Sequence, residues 1–454
     1  MGGSSSAGAV RLAGWPLVVT DIMRLHRLYV TRAASPVAVV QRHLEQAHGL
    51  GTDLNAFTAI LDGEALIAAE ASERRYAEGR PLSALDGVPF TVKDIVHVRG
   101  VPTTAASRAA DPEPQASDAA VVARLRQLGA VLIGKTNLLE YALGLVHPDF
   151  GPVRNPWDKE RTIGGSSSGS AAAVAIGAGF ASIGTDTLGS VRNPAALAGV
   201  VGFKPSFGRL PVAGTIPLAP TLDHLGILAR TVADAQAVYR GTASRGGRGH
   251  YGPWRVGVAL FEDVDPTVRH AFLDAVARLK GAGVAVQETG VLPFAAATAA
   301  ALTLLYTEAA EVHRERLQAN AAGYSAGTRA RILAGSAVDG PDYARALAVR
   351  VRVREEVGDV FRGCDVVLTP TLPAPAPRED GGGGDRSLGS APLHTSAFNL
   401  LGLPALTLPI GRSPETGMPI GLQIAGPQGA DGMVLRAARL VERLRGPWRA
   451  PWLT

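Results

Sequence analysis

Residues 163–192 open on Ile163-Gly164-Gly165-Ser166-Ser167-Ser168-Gly169-Ser170, run through an Ala-rich stretch, and close on Gly184-Thr185-Asp186-Thr187-Leu188-Gly189-Ser190-Val191-Arg192. Two glycine-bearing turns therefore each present a serine, Ser166 and Ser190. The segment between them, Ser170 to Gly179, is built of small residues and predicts a tightly packed buried helix. Upstream, Val88-Pro89-Phe90-Thr91-Val92 predicts a short apolar strand that delivers Lys93 to its end. A serine hydroxyl is a poor nucleophile at neutral pH and needs an adjacent base. Lysine can be that base when burial lowers its pKa by disfavouring the ammonium. Asp94 faces the other way if the strand continues, so it need not hold Lys93 charged. Ser190, Ser166 and Lys93 thus offer two hydroxyls and a base, a set in which one hydroxyl attacks while the other relays its proton to the lysine and on to the leaving group. Gly165 supplies backbone freedom before Ser166. The amides of Thr187, Leu188, Gly189 and Ser190 are placed to converge on one oxygen, an oxyanion hole worth roughly 3–4 kcal/mol per donor. Ser167, Asp186 and Arg192 are read as supports, the last two as a pair holding the turn.

Outward from this core, Ser35-Pro36 reads as an N-cap with proline at the first helical position, opening a helix to about His48. Gly63 to Ala77 has helical spacing, Ser117-Asp118 caps a helix to Leu128, and Val131 to Gly134 is a strand. Beyond Thr231 come a strand at Arg255 to Leu260, a helix opened by Asp265-Pro266 and a strand at Val284 to Gln287. Further strands are expected at Val366 to Leu368, Ala405 to Leu408 and Gly421 to Ile424. Strands alternating with helices favour an α/β sheet packed on both faces. The expected organisation is a flexible tail over 1–15 and one domain over 16–454. Its motif region is 80–235, a helical segment over 290–350 covers the pocket, and a mobile Gly-rich loop spans 377–392.

The chain has 454 residues, 46% hydrophobic and 19% charged, enough for a large core. Its net charge of +5 is spread without a basic block, which argues against direct nucleic-acid binding. Cys364 is the sole cysteine, excluding an intramolecular disulfide or a thiolate metal cluster. The histidines show no metal-binding spacing, so neither a metal nor an organic cofactor is implied, and His224 reads as a turn stabiliser. No stretch reads as a signal peptide or membrane span, which makes cytoplasmic the default. The expected partner is a small-molecule amide-type substrate, with no nucleic acid and no membrane, for a monomer or homodimer.

Residues 165–169 also fit G-x-S-x-G, a nucleophile elbow centred on Ser167. That reading needs a strand just before it, where Asn155 to Arg161 reads as a loop, and it leaves the Gly184–Arg192 turn unexplained. A phosphate loop fails because no Lys-Ser/Thr follows the glycines.

Asp86-Gly87-Val88-Pro89-Phe90-Thr91-Val92-Lys93-Asp94, Gly134-Lys135-Thr136-Asn137-Leu138-Leu139-Glu140-Tyr141, Gly202-Phe203-Lys204-Pro205 and Leu222-Asp223-His224-Leu225-Gly226 extend the pattern. Fainter echoes are Asn399-Leu400-Leu401-Gly402-Leu403-Pro404-Ala405 and Pro419-Ile420-Gly421-Leu422-Gln423. Together with the two serine turns, these stretches resemble the amidase signature family. The resemblance implies a single α/β/α domain on a large mixed sheet, a Ser190–Ser166–Lys93 triad with a cis peptide before Ser166, and an acyl pocket near Tyr141, Ala142 and Leu143. The implied reaction is cleavage of a carbon–nitrogen bond in an amide, with anilides, carbamates and esters reached through the same intermediate. Two departures stand out: Ser168 and Leu188 occupy positions where the family usually has glycine, which bears on substrate preference. Two other readings share the motifs: a glutamine-hydrolysing subunit of a tRNA-dependent amidotransferase, and a non-catalytic scaffold of the same fold.

Overall fold

The computed structural model describes residues 21–143, 145–244, 254–261, 263–289, 292–379, 391–448 and 450. The expected tail over 1–15 and most of the expected Gly-rich loop over 377–392 lie outside them. The strands are β1 (Phe57–Ile60), β2 (Pro89–Lys93), β3 (Val131–Thr136), β4 (Ala181–Asp186), β5 (Val201–Lys204), β6 (His224–Ala229), β7 (Arg255–Val258), β8 (Ala285–Glu288), β9 (Val366–Pro370), β10 (Ala405–Arg412) and β11 (Pro419–Ala425). The first helices are α1 (Ile22–Val30), α2 (Pro36–Gln46), α3 (Asp62–Ala77), α4 (Ala120–Gln127), α5 (Ser168–Ala175), α6 (Arg192–Ala198) and α7 (Val232–Thr242). The remainder are α8 (Pro266–Gly281), α9 (Phe294–Asn320), α10 (Ala326–Gly335), α11 (Gly340–Gly363), α12 (Ala391–Leu400) and α13 (Asp431–Arg445).

All eleven strands join one sheet in the order β1-β3-β2-β4-β6-β5-β10-β11-β9-β7-β8. It is mixed: β2 runs parallel to β3 and β4, and β7 to β8 and β9, while β4–β6, β5–β6, β5–β10 and β10–β11 are antiparallel. Strand alternation sends side chains to two separate cores. On β6, Leu225, Ile227 and Ala229 enter one core, and Leu228 enters the other with Ala171–Ala175 of α5 and Ala195 of α6. Helices α7, α8 and α13 supply the first core, so the architecture is a single α/β/α domain.

Local chemistry sets several boundaries as the sequence predicts. Ser35 caps α2 by accepting from the Ala38 amide, with Pro36 in the first turn, and Asp265 caps α8 through the Thr267 amide. Gly199 closes α6 at φ +68°, the left-handed conformation that glycine adopts freely. One cap differs. Ser117-Asp118 does not cap α4, whose N-cap is Ala119 without a side-chain bond; Asp118 instead accepts from the Arg99 amide. Helix α5 begins at Ser168, two residues ahead of the expected start, and every one of its side chains is buried. Small side chains allow that contact: a Cβ on Gly169 would stand 2.4 Å from the Ala56 carbonyl oxygen.

Candidate active site

Strand β2 ends in a fully buried lysine. Lys93 Nζ donates to Ser166 Oγ at 2.8 Å and to Thr185 Oγ1 at 2.7 Å. Burial lowers its pKa to about 7 against the opposing pull of Asp186 and Asp223, so a large fraction is neutral at physiological pH. Neutral amine beside a hydroxyl is the state a base requires. Ser166 is itself buried, at the N-terminal side of α5, and follows a cis Gly165–Ser166 peptide. A Cβ on Gly165 would meet Leu139 Cδ1 at 2.3 Å, so the loop lies tight against that side chain.

Ser167 joins the two serine turns. Its amide donates to the Ser190 carbonyl at 3.1 Å, and its Oγ donates to the Thr185 carbonyl at 3.1 Å. The register that brings β4 beside β2, Val92 opposite Ile183, carries the turn after β4 up to the lysine end of β2. Ser190 is half-buried in that turn.

Asp186 is the hub of the turn. Its carboxylate accepts from the Gly189 amide (2.8 Å), the Val191 amide (3.2 Å), Arg192 Nε (3.0 Å) and Nη2 (2.9 Å), and Asn399 Nδ2 (2.8 Å). Burial alone would raise its pKa, but Arg192 and Asn399 overcome that and hold the carboxyl well below the usual carboxylate range. Arg192 has no exposed surface and also donates to Gln423 Oε1, Asn399 Oδ1 and the Thr395 carbonyl. The predicted Asp186–Arg192 pair thus exists as a buried, multiply bonded network, the setting in which an ion pair is satisfied. Because the Gly189 N–H is taken by Asp186, the amides of Thr187, Leu188 and Ser190 are the ones left without an acceptor among the described residues.

A cavity of about 100 Å³ opens beside Thr185 and Thr187. Its walls are largely apolar, from Ile95, Ala142, Val212, Ile216, Pro217 and Leu218, with Asp223 and His224 at its polar side. Asp223 accepts from Thr187 Oγ1 and from the Leu218 and Ala219 amides, yet burial still pushes its carboxyl up to about 6. Of Tyr141, Ala142 and Leu143, only Ala142 lines this cavity; Tyr141 is buried behind it against His313 and Tyr324. Tyr141 and Ala142 both have positive φ, +47° and +62°, a strained backbone for non-glycine residues. Glu140 anchors them by accepting from Ser107 Oγ, Ser325 Oγ and the Ser325 amide, which ties the turn to the start of α10.

Sequence reasoning missed Thr185, Thr395, Asn399 and Gln423 as neighbours of the site. Asn399 and Gln423 lie in the late stretches quoted above, so a signal was present without an assignment. No helix among the described residues is long and apolar enough to cross a membrane.

A family model described as Amidase matches residues 38–435. The chain is 37% identical to the glutamyl-tRNA(Gln) amidotransferase A subunit of Anaeromyxobacter dehalogenans, covering 92% of this chain and 95% of that one. It is 34% identical to the protein of the same name from Acidothermus cellulolyticus, covering 94% of each. Among solved structures, an amidase superposes with a TM-score of 0.87 at 37% identity, over 93% of this chain and 99% of that one. A peptide amidase in complex with the competitive inhibitor chymostatin superposes with a TM-score of 0.83 at 28% identity, over 94% and 98%. These relatives correct one expectation, that of a self-sufficient monomer or homodimer with only a small-molecule substrate and no nucleic acid. By name, these curated relatives are subunits of an amidotransferase of glutamyl-tRNA(Gln). The expectation rested on the absence of a basic block, which speaks only to direct contact of this chain with nucleic acid.

Proposed function

This chain belongs to the amidase family, and from that premise we propose that it releases ammonia from a carboxamide, glutamine, as the hydrolytic subunit of a tRNA-dependent amidotransferase. The observation that carries the chemistry is the bond from a buried Lys93, its pKa near 7, to Ser166. Ser190 Oγ attacks the amide carbonyl and gives its proton through Ser166 to Lys93. The tetrahedral oxyanion is stabilised by free amides of the 187–190 turn. Collapse breaks the carbon–nitrogen bond as Ser166 passes the proton to the departing nitrogen, leaving an acyl-Ser190 ester. Water attacks that ester with its proton taken along the same relay, and the acid and free Ser190 are regenerated. Helices α9 to α11 serve as the cover of the site, a role supported by the ties from Ser325 to Glu140 and from Glu308 to Thr221. The assignment to an amidotransferase is supported by the curated relatives, 31–37% identical over at least 90% of this chain.

A second reading is hydrolysis of an apolar carboxamide. It is favoured by the cavity beside Thr185, whose lining residues include neither lysine nor arginine to meet a glutamine carboxylate. Ammonia release from glutamine decides between them, measured with and without the remaining subunits of the source organism's amidotransferase, with Ser190→Ala as blank. Release that depends on those subunits supports the first reading. Silence on glutamine in both conditions, with Ser190-dependent turnover of an aliphatic amide or anilide by the isolated protein, refutes it in favour of the second.

A further inference from the structure

We propose that Thr395 and Asn399, on α12, are positioning residues that fix the plane of the Leu188–Gly189 peptide and thereby the aim of Ser190. The inference rests on the reading of Ser190 as nucleophile and concerns residues far from it in the chain. A trans peptide unit points its C=O and N–H in opposite directions. Here each end is held. The Leu188 carbonyl accepts from Thr395 Oγ1 at 2.6 Å, and the Gly189 N–H donates to Asp186 Oδ1 at 2.8 Å. Asp186 is in turn fixed by Asn399 Nδ2, which donates to both its Oδ1 and its backbone carbonyl at 2.8 Å.

Residues 395 and 399 are four apart on one helix and so face the same side, which is how a single element grips both ends of the unit. The helix cannot drift from this post. Arg192 Nη1 donates to the Thr395 carbonyl, Arg192 Nη2 to Asn399 Oδ1, Gln423 Nε2 to the His394 carbonyl, and Ser396 bonds Thr298 on α9. The fit leaves no slack at Gly189, whose φ is +123° and whose added Cβ would stand 2.3 Å from Thr395 Oγ1. Turning the 188–189 plane would present a carbonyl where an N–H now stands and swing the next residue, Ser190, away from Ser166. The late Asn399 and Gln423 stretches, which the triad itself does not use, gain a role in this way.

The test compares wild type, Thr395→Val, Thr395→Ser and Asn399→Leu in the full chain. Its readouts are the second-order rate of Ser190 labelling by a fluorophosphonate, and kcat and KM on 4-nitrophenyl acetate per titrated active site. Thr395→Val keeps the side-chain shape and deletes the donor, so labelling and kcat should fall roughly 10- to 100-fold with KM within about threefold, as for a small misplacement of a reacting group. Thr395→Ser restores the hydroxyl and should return to within about threefold of wild type. Rates per titrated site separate aim from a reduced folded fraction. Thr395→Val within twofold of wild type, or Thr395→Ser as slow as Thr395→Val, overturns the proposal. Should Thr395→Val not fold, Asn399→Leu carries the test, since it keeps a similar shape, adds no charge and removes the donor to Asp186; an undiminished rate there overturns it equally. A wild type that is not labelled at Ser190 removes the nucleophile and the proposal together, an outcome distinct from labelled wild type with equal variants.

Discussion

Replacing Lys93 by methionine should make the protein more stable at neutral pH while abolishing its activity. In the folded chain the Lys93 pKa is about 7, against 10.5 for a free lysine. Between those values the unfolded chain binds a proton that the native chain does not, so wild-type stability falls as pH drops from 10.5 towards 7 and levels off below it. At about 1.4 kcal/mol for each factor of ten, the penalty is about 4 kcal/mol at pH 7 and about 2 kcal/mol at pH 9. Methionine carries no such penalty and fills similar volume. It forfeits the bonds to Ser166 and Thr185, worth about 1 kcal/mol each. The net expectation is a variant more stable by about 2 kcal/mol at pH 7 and about equal to wild type at pH 9. Urea unfolding of both proteins at the two pH values measures this, because titrations common to both cancel in the difference. A variant less stable at pH 7, or a difference that does not move with pH, would refute the claim that Lys93 is held neutral by burial.

On the proposed mechanism the neutral form of Lys93 is the base, so kcat/KM should rise with pH through about 7 on the acid side, and Asp223→Asn should move that limb to lower pH, because the Asp223 charge favours the ammonium. A pH–rate profile with no inflection between about 6 and 8 would exclude Lys93 as the base. Arg192→Leu leaves the buried Asp186 carboxylate without its cation and should destabilise by about 3–5 kcal/mol, read as a lower urea midpoint. Gly189→Ala should reduce activity at least about 100-fold, because the added Cβ meets Thr395 Oγ1 and the φ is unfavourable; activity near wild type would show that the turn is softer than its geometry implies.

The part of the site that was legible in the sequence is the part made by neighbours in the chain. Strand β2 ends at Lys93 because an apolar run stops there, and α5 packs closely because its residues are small. Both signals are local. The Ser117-Asp118 cap failed because Asp118 has a competing long-range use, the Arg99 amide, which no local rule weighs. Strands β4, β5 and β6 drew no assignment because each short run is interrupted by a glycine, Gly184, Gly202 and Gly226, a residue depleted in strands. Asn399 and Gln423 were visible as residues but not as contacts, since their partners lie 207 to 231 positions away. The macromolecular company that the relatives' names point to was legible only as an alternative carried by the shared motifs, because charge composition reports only what a surface touches directly.

The strand order has a consequence for synthesis. Strands β1 to β6 form one contiguous block of the sheet, and it meets the later strands only where β5 pairs with β10. A ribosome that has delivered residue 230 has made Lys93, Ser166 and Ser190, but none of the ties that residues 395, 399 and 423 give to the 186–192 turn. On the proposed mechanism the nascent chain therefore holds Lys93, Ser166 and Ser190 before it holds the ties that align them, and reactivity is expected only once residues 395–423 have been added.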